Sequence, residues 1–262
     1  GVWSRHLADT AAATRAVAER LLVAQEPEPR DEVTLTDFDP EGEVAVVAAA
    51  LYAVSSLPDD QLRAIVRRMP DGERAEVLRA YVGERHNRRH KPGRAFERTG
   101  YRFDVLTDYG AFRDLQRHRM LTLEWQPLSP RLGYTLPEAI DEVGATADFS
   151  RVMGECAEVY DRLRQAGLEQ AAAYAVPMAY RVRFYMHMNA REAMHVIELR
   201  TAPQGHPAYR RVCQRMHHLI AEVAGHRAIA AAMSFADHSE VELERLQAER
   251  AAEKKRQQRA GA

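Results

Sequence analysis

The sequence indicates an α/β (α+β) protein, because four short β-rich segments are separated by longer segments with helical periodicity. The β-rich segments alternate apolar and polar residues, at least in part, and they span 33–39, 101–106, 119–125 and 180–189. The helical segments span 4–25, 43–84, 108–118, 136–175 and 190–200, and a further long helix starts near Pro207. Because 46% of the 262 residues are apolar, the chain can bury a sizeable core.

The first predicted element is an Ala-rich helix at residues 4–25. It is followed by EPEPRDE at 26–32, in which two prolines interrupt regular structure. We interpret residues 1–32 as a helix and linker that form the tail of a preceding unit. Residues 33–238 are then the main domain, and residues 239–262 form a solvated, charged helical tail in which acids precede bases.

The next elements lead to an unusual run of basic residues. Residues 43–84 contain three helical patterns, separated by SSLPDD and MPDGE, where a proline and acidic residues favour a new helix start. A basic loop, RHNRRHKPGRAFERT at 85–99, precedes the strand at 101–106. The helical segment DYGAFRDLQRH then ends in Arg-His-Arg, immediately before the third strand.

Composition gives no support to several classes of protein. The chain has 37 basic and 38 acidic residues, so its net charge gives no argument for a nucleic-acid-binding protein. No apolar run approaches the roughly 20 residues of a membrane helix, so no membrane partner is expected. The two cysteines, Cys156 and Cys213, are far apart and have no metal-ligand spacing. Their placement suits a reducing cytosol, and we expect a cytoplasmic protein.

Arg117, His118 and Arg119 form the first candidate site. In an extended segment the two arginines point to the same side. Neighbouring guanidinium groups repel each other unless an anion lies between them, and phosphate oxygens match their forked donors. The alternative, which the tripeptide alone favours, is surface pairing with nearby acidic residues, namely Asp104, Asp108 or Glu124.

The helical segment NAREAMHVIELR carries the second candidate site. At about 100° per residue, Arg191 and His195 share one face, and Arg200 lies about half a turn from Arg191. An arginine on an otherwise buried helix needs a partner, because a buried unpaired charge is very costly. That partner is either Glu192 or Glu198 with their neighbours, or a bound anion.

The basic loop contains His86 and His90, four residues apart, but we predict no metal site there. A third ligand with a familiar spacing is missing, and the surrounding cations repel a metal ion. A phosphate-facing loop and a plain solvated loop fit these residues equally well. Nucleophilic catalysis finds little support, because Ser129 lacks flanking glycines and neither cysteine has a recognisable setting.

Three motifs, in the right order over roughly residues 80 to 225, resemble the flavin-dependent thymidylate synthases. The Arg-His-Arg run followed by Ser129 and Arg131 resembles one family motif, with a two-residue insertion at EWQP. The family's Asn-x-Arg block is matched without gaps by Asn189, Arg191, His195, Leu199 and Arg200. Upstream, KPGRAFER matches a further motif and keeps its Phe-Glu pair at Phe96 and Glu97.

The resemblance implies a fold similar to that of thymidylate-synthase-complementing proteins, with a central, mainly antiparallel sheet flanked by helices. Enzymes of the family are homotetramers that build each active site from several subunits. They bind FAD, take hydride from NADPH, and move a methylene group from methylenetetrahydrofolate onto dUMP; the flavin carries the chemistry. The resemblance therefore implies a methyltransferase of nucleotide biosynthesis.

The resemblance also assigns roles to individual residues. The expected flavin contacts are Arg117, His118, Arg119, Asn189, Arg191 and His195. The expected contacts of a dUMP-like pyrimidine nucleotide are Ser129, Arg131 and Arg200. Among these, Arg200 and Ser129 are the candidate catalytic residues, and Arg200 would favour charge developing on the uracil ring.

The upstream motif departs from the family at two histidine positions, which are occupied by Pro92 and Arg98. His90 is the candidate substitute for the first of them. The alternative function is therefore a non-catalytic half that serves assembly, either as a homo-oligomer or paired with a preceding homologous half. A nucleic-acid-binding domain that uses the basic loop is a weaker alternative, because the loop lacks interleaved aromatic residues.

Overall fold

The computed structural model describes residues 1–239 of the chain, which divide into two units. The first, Gly1–Asp31, contains helix α1 (Val2–Leu21), and none of its described residues is buried. The second, Glu32–Ala262, contains all other described elements. The division falls inside the predicted linker, and the helix predicted at 4–25 is confirmed with slightly earlier bounds.

The second unit combines four strands with ten α-helices in its described part. The strands are β1 (Val33–Phe38), β2 (Gly100–Asp108), β3 (Thr122–Trp125) and β4 (Arg181–Asn189). The first helices are α2 (Gly42–Tyr52), α3 (Asp59–Val66), α4 (Asp71–Val82) and α5 (Tyr109–Leu115). The later helices are α6 (Glu138–Glu142), α7 (Thr146–Gln165), α8 (Glu169–Ala172), α9 (Ala190–Arg200), α10 (Pro207–Glu222) and α11 (Arg227–Ala232).

The four strands form one antiparallel sheet in the order β1-β2-β4-β3. The central pair is β2 with β4, in which Gly100 lies opposite Asn189 and Asp108 opposite Arg181. At one edge, β1 carries an irregularity between Leu35 and Asp37. At the other edge, the short β3 runs beside the middle of β4, where Thr122 lies opposite His187 and Trp125 opposite Phe184. The mainly antiparallel sheet flanked by helices is therefore confirmed.

The alternation of residues along β2 and β4 gives the sheet one buried and one polar face. Tyr101, Phe103 and Val105 of β2 are fully buried, as are Phe184 and Met186 of β4 to within 2%. Helices α2, α9 and α10 contribute further apolar residues to the same core, among them Val46, Ile197 and Met216. On the polar face, Arg183 pairs with Asp104 at 2.6 Å.

A second, smaller core lies around α7 and the segment that enters β4. It consists of Met153, Tyr160, Ala172, Val176 and Tyr180. The Tyr180 hydroxyl donates to the Met153 carbonyl at 2.6 Å and fixes α7 against this segment. The segment between β3 and α6 also packs here, because Tyr134 contacts the Tyr180 ring edge-on.

Most predicted elements are present with small changes of bounds. The helix predicted at 108–118 ends at Leu115, so Arg117, His118 and Arg119 lie in the loop before β3. The long helix predicted from Pro207 ends at Glu222, and the separate helix α11 follows. The predicted charged tail, 239–262, falls outside the described residues apart from Ser239. Among residues 1–239, no helix combines the length and hydropathy needed to cross a membrane.

Candidate functional site

His118 of the first candidate site predicted from the sequence contacts Arg200 of the second in the folded chain. Arg200, the last residue of α9, donates from its Nε to Nε2 of His118, at 3.0 Å. Asn189 starts the helix, since its Oδ1 accepts from the Glu192 backbone N–H at 2.9 Å. Helix α9 therefore lies with Glu192, His195 and Arg200 close to the loop that carries His118.

The hydrogen bond from Arg200 defines the protonation state of His118. An arginine Nε–H can only donate, so Nε2 of His118 must carry a lone pair. The proton of the neutral ring is then on Nδ1, which lies 3.8 Å from Oε1 of Glu192. His118 is buried, and Glu192 is mostly so. Arg200, His118 and Glu192 thus form a row, in which Arg200 donates to His118 and the N–H of His118 faces the Glu192 carboxylate.

Arg200 is held by several groups of its own chain. Its Nη2 donates to the Asp114 backbone carbonyl, and its Nη1 lies 3.6 Å from the Asp114 carboxylate. Its guanidinium also lies over the Tyr209 ring, 5.3 Å from the centroid. With a side chain only 14% exposed, Arg200 is a preorganised cation whose position is set by α5, α9 and α10.

His195 completes this part of the site. Its ring lies edge-on to His118, with 5.5 Å between ring centroids. Partial burial lowers the pKa of His195, and the positive charge of Lys91 lowers it further, while Glu192 opposes the shift. His195 is therefore neutral at pH 7 and offers one N–H donor and one acceptor nitrogen.

His118, Glu192 and His195 place one potential ligand atom each within 4.8 Å of one another, a spacing that a metal ion could bridge. Two observations argue against a metal there. A metal at Nδ1 of His118 requires a proton on Nε2, but Nε2 already accepts from Arg200. The positive charges of Lys91 and Arg88 also act on His195. The local charge favours an anion.

The basic loop between α4 and β2 adds positive charge beside α9. Arg191 donates from Nε to the Pro92 carbonyl at 3.0 Å, and its Nη1 lies 3.5 Å from Glu97. Desolvation lowers the pKa of Lys91; Glu192 opposes this shift, and Arg191 adds to it. Nη1 of Arg88 is buried and has no hydrogen-bond partner in the described part of the chain. Such an orphaned donor among cations is the kind of group that an anionic ligand satisfies.

The acidic partners differ from those that the sequence suggested. Glu198 does not pair with Arg191 or Arg200; it forms a fully buried ion pair with Arg85 beneath α9. The partner of Arg191 is Glu97, which also accepts from Arg94. Internal pairing, the alternative to a bound anion, is thus partly present at Arg191 and, through Asp114, at Arg200.

Arg117 and Arg119 do not join the row formed by His118. The Arg117 side chain is 74% exposed, with Asp114 at 3.7 Å rather than any of the three acidic partners suggested by the sequence. Arg119 is exposed, and the described residues contribute no ion pair or hydrogen bond to its side chain. Both guanidiniums therefore face solvent on the single chain.

Ser129 and Arg131 lie on a different part of the fold. Ser129 caps a 3₁₀ turn at Pro130–Leu132, where its Oγ accepts from the Arg131 backbone N–H. Arg131 is 69% exposed and reaches Asp161 of α7 at 4.0 Å. Within the described chain, no hydrogen bond, ion pair or ring contact joins either residue to Arg200, the third expected nucleotide contact.

Sequence reasoning missed two residues that shape the site, Asp114 and Tyr209, which hold Arg200. It named Glu192 only as a possible partner for an arginine of its own helix, whereas Glu192 faces His118. Asp114 and Tyr209 gave no signal in the sequence, because they reach Arg200 through the packing of separate helices.

The chain is similar to known proteins along most of its length. The family model described as thymidylate synthase complementing protein matches residues 34–225. A UPF0159 protein of Chlamydia muridarum is 36% identical over 235 residues, which are 90% of this chain and 44% of that protein. A UPF0159 protein of Thermoplasma acidophilum is 37% identical over 185 residues, which are 70% of this chain and 37% of that protein. The chain thus spans less than half the length of these relatives.

Two solved structures share the fold. One is a UMP/dUMP methylase, PolB, from Streptomyces cacaoi bound with 5-Br dUMP; its TM-score is 0.60 at 23% identity, over 78% of this chain and 97% of that chain. The other is the same methylase bound with 5-Br UMP, with a TM-score of 0.58 at 20% identity, over 80% of this chain and 100% of that chain.

Proposed function

The chain belongs to the thymidylate synthase complementing protein family, and from that premise we propose that it is a thymidylate-synthase-like nucleotide methyltransferase. Its substrate is a pyrimidine nucleotide of the dUMP type, and its cofactor is FAD. NADPH and methylenetetrahydrofolate are the co-substrates. The observation that carries the proposal is the hydrogen bond between Arg200 and His118, which joins two family motifs 82 residues apart.

The cationic groups around α9 fit a cofactor that carries phosphates. Arg191, Lys91 and the orphaned Nη1 of Arg88 lie in one region. Burial lowers the pKa of Lys91 and of His195, and the neighbouring positive charges lower both further. FAD pyrophosphate is a dense anion whose oxygens accept the forked donors of arginine. Asn189, Arg191, His195 and His118 are the residues of this chain that would hold it.

Bound FAD supplies hydride transfer, a reaction that no side chain of this chain performs. The protein contributes positioning and charge. Arg200 presents a fixed guanidinium that stabilises negative charge on a uracil ring without reorganising, because Asp114 and Tyr209 already hold it. Neutral His195 contributes a donor or acceptor without adding charge.

Assembly with another chain would complete the ligand contacts of the exposed motif residues. Arg117, Arg119 and Arg131 face solvent on one chain and Ser129 is half-buried, yet the family resemblance assigns all four to ligand contacts. The edge strand β3 adjoins this surface and carries the exposed Trp125, 54% exposed, after Met120, 77% exposed. Exposed apolar residues beside unpaired strand edges favour contact with another chain. A second copy, or the other half of a longer protein, would bring these side chains to the site.

The competing function is a non-catalytic half. Pro92 and Arg98 occupy the histidine positions of the upstream motif, and the structure uses both for internal contacts. The Pro92 carbonyl accepts from Arg191, and Arg98 pairs with Asp59 at 3.4 Å. His90 is exposed, and its backbone carbonyl accepts from Arg85. Its imidazole ring is therefore free to contact a ligand, but this hydrogen bond does not orient the ring.

One set of measurements separates these functions. We expect purified protein to be yellow and to release FAD on denaturation. We also expect it to convert dUMP to dTMP with NADPH and methylenetetrahydrofolate, detected by chromatography. Protein that retains FAD and dUMP but forms no product is the non-catalytic half. Protein that takes up neither, even at high FAD concentration, contradicts the proposal.

A further inference from the structure

Three histidines meet at a place that the proposed function does not use. His217 and His218 lie on α10, and His238 lies in the segment that follows α11. Nδ1 of His217 is 2.8 Å from Nε2 of His238. The His238 ring is also close to the His218 ring, with 4.6 Å between centroids. The fold creates this cluster, since 21 residues separate His217 from His238.

The hydrogen bonds of His217 leave the right nitrogen free for a metal ion. Its Nε2 lies 2.9 Å from the Ala230 backbone carbonyl, which can only accept, so Nε2 carries the proton. Nδ1 of the neutral ring therefore carries a lone pair, which faces His238. A histidine whose second nitrogen donates to a backbone carbonyl is the usual arrangement for a metal ligand, because that bond orients the ring.

A carboxylate adjoins the cluster, because Glu222 lies 4.0 Å from Nδ1 of His218. Burial lowers the pKa of His238 and of His217; Asp237 and Glu198 oppose this shift, although they are paired with Arg210 and Arg85. The cluster around His118 differs, because there Arg200 occupies a ring nitrogen and the positive charges of Lys91 and Arg88 act on His195. His218 and His238 are exposed, so an ion can reach the site from solvent.

We propose that His217, His238 and His218 bind a divalent transition-metal ion that prefers imidazole, such as Zn²⁺. His217 binds through Nδ1. His238 binds through Nε2 and moves its ring proton to Nδ1. A zinc–nitrogen bond is about 2.0–2.1 Å long, so the two nitrogens separate by a few tenths of an ångström from their present contact. His218 turns its exposed side chain to supply a third nitrogen, and water completes the coordination.

The ion would link α10 to the segment at 234–239, which packs against the buried charged residues Glu198 and Arg210. In that segment, the Phe235 backbone N–H donates to Glu198, and the Asp237 backbone N–H donates to the Thr201 hydroxyl. The Asp237 carboxylate lies 3.3 Å from the buried Arg210. Metal binding therefore stabilises the cover of the Arg85–Glu198 pair and of Arg210.

The test is a calorimetric titration of the full chain with ZnCl₂ at pH 7.5, repeated with single variants. We expect His217→Gln and His238→Gln to weaken the affinity about tenfold or more, and His218→Gln to weaken it less. Glutamine at 238 still donates to His217, which preserves the fold of the segment. His86→Gln, an exposed histidine elsewhere, is the matched control and should bind zinc as the parent does.

A second measurement, amide hydrogen exchange, tests where the ion binds and does not rely on affinity. Zinc should slow hydrogen exchange of the Phe235 and Asp237 amides in the parent and leave it unchanged in His238→Gln. The proposal is overturned if the parent binds no zinc, or if affinity is lost in His195→Gln and kept in His238→Gln. Zinc binding without slower exchange at these amides would also overturn it.

Discussion

Arg85 and Glu198 are separated by 113 residues, and they form a two-pronged ion pair with N–O distances of 2.5 and 2.7 Å beneath helix α9. Their side chains are 2% and 1% exposed. Arg85 also donates to the Ala232 and His90 carbonyls, and Glu198 accepts from the Phe235 backbone N–H. One buried pair thus ties together the basic loop, α9 and the end of α11, and the first two of these carry residues of the candidate site.

Removing one charge of this pair should be strongly destabilising. Glu198→Gln leaves the Arg85 guanidinium buried without its counter-ion, and we expect a loss of about 3–5 kcal/mol in the free energy of unfolding. Urea denaturation measures it. The matched control is Glu169→Gln, which breaks an exposed 3.8 Å pair with Arg164 and should cost about 0–1 kcal/mol. Similar losses in the two variants would contradict the role given to burial.

Two helical glycines should respond to alanine in opposite ways. A Cβ at Gly42 would lie 2.4 Å from the His226 ring and 2.4 Å from the Thr99 hydroxyl, whereas one at Gly72 meets nothing within 4 Å. Gly42→Ala should therefore destabilise the protein by about 1–3 kcal/mol through overpacking. Gly72→Ala should stabilise it by about 0.4–1 kcal/mol, because the unfolded chain loses freedom. Thermal unfolding of the two variants tests this prediction. Equal melting temperatures would show that His226 and Thr99 do not pack closely against Gly42.

Arg200→Ala should separate nucleotide binding from flavin binding. Loss of a charge-assisted interaction of about 1.5–3 kcal/mol corresponds to dUMP affinity reduced about tenfold or more. Flavin retention should change less, because only His118 among the proposed flavin contacts loses a bond to Arg200, while Asn189 and Arg191 lie at the other end of α9. Calorimetric titration with dUMP provides the measurement. Arg113→Ala, an exposed arginine on α5, is the control. Unchanged dUMP affinity in Arg200→Ala would refute the assignment of this residue.

Arg191→Ala should lower the amount of FAD that stays bound through purification. The matched control is Arg94→Ala, because Arg94 contacts the same Glu97 carboxylate but is 87% exposed and makes no contact with Pro92. The ratio of flavin to protein absorbance compares the two variants. Equal flavin occupancy in the parent and in Arg191→Ala would count against a phosphate contact at this position.

Stability should fall as the pH drops below about 6.5. Burial is the largest cause of a lowered pKa at four histidines, His195, His217, His226 and His238. In this range the unfolded chain therefore binds protons that the folded chain does not, and the free energy of unfolding decreases with acidification. Above about pH 7 the histidines are neutral in both the folded and the unfolded chain, so they no longer make the free energy of unfolding depend on pH. Urea midpoints between pH 7.5 and 5, with a metal chelator present, test this. A midpoint that rises on acidification would contradict the sign.

The sequence was informative where local pattern decides structure. Alternation along 101–106 and 180–189 predicted β2 and β4, because one face of each strand had to be apolar to cover the core. The unbroken Asn189 to Arg200 pattern predicted α9 with its final bounds, since Asn189 is a strong cap and the helix interior has no breaker. The family resemblance rested on the same short-range patterns.

The structure differed from the sequence analysis where partners come from distant segments. The helix through 108–118 stops at Leu115, which puts His118 in a buried loop while its two arginine neighbours stay in solvent. The acidic partners of Arg191 and Arg200 are Glu97 and Asp114, not the glutamates on their own helix. Helical geometry predicts only neighbours three or four residues apart, so it could not identify these pairs.

The order of residues was enough to establish the elements, the apolar faces that form the core and the motifs that indicate the family. These depend on interactions within a few residues, whose geometry is the same in any fold. Which cations are held, which face solvent, and which histidines touch depended on how α5, α9, α10 and the basic loop pack together. Charges and hydrogen bonds act over a few ångströms, and folding alone brings residues such as Arg85 and Glu198, or His217 and His238, within that distance.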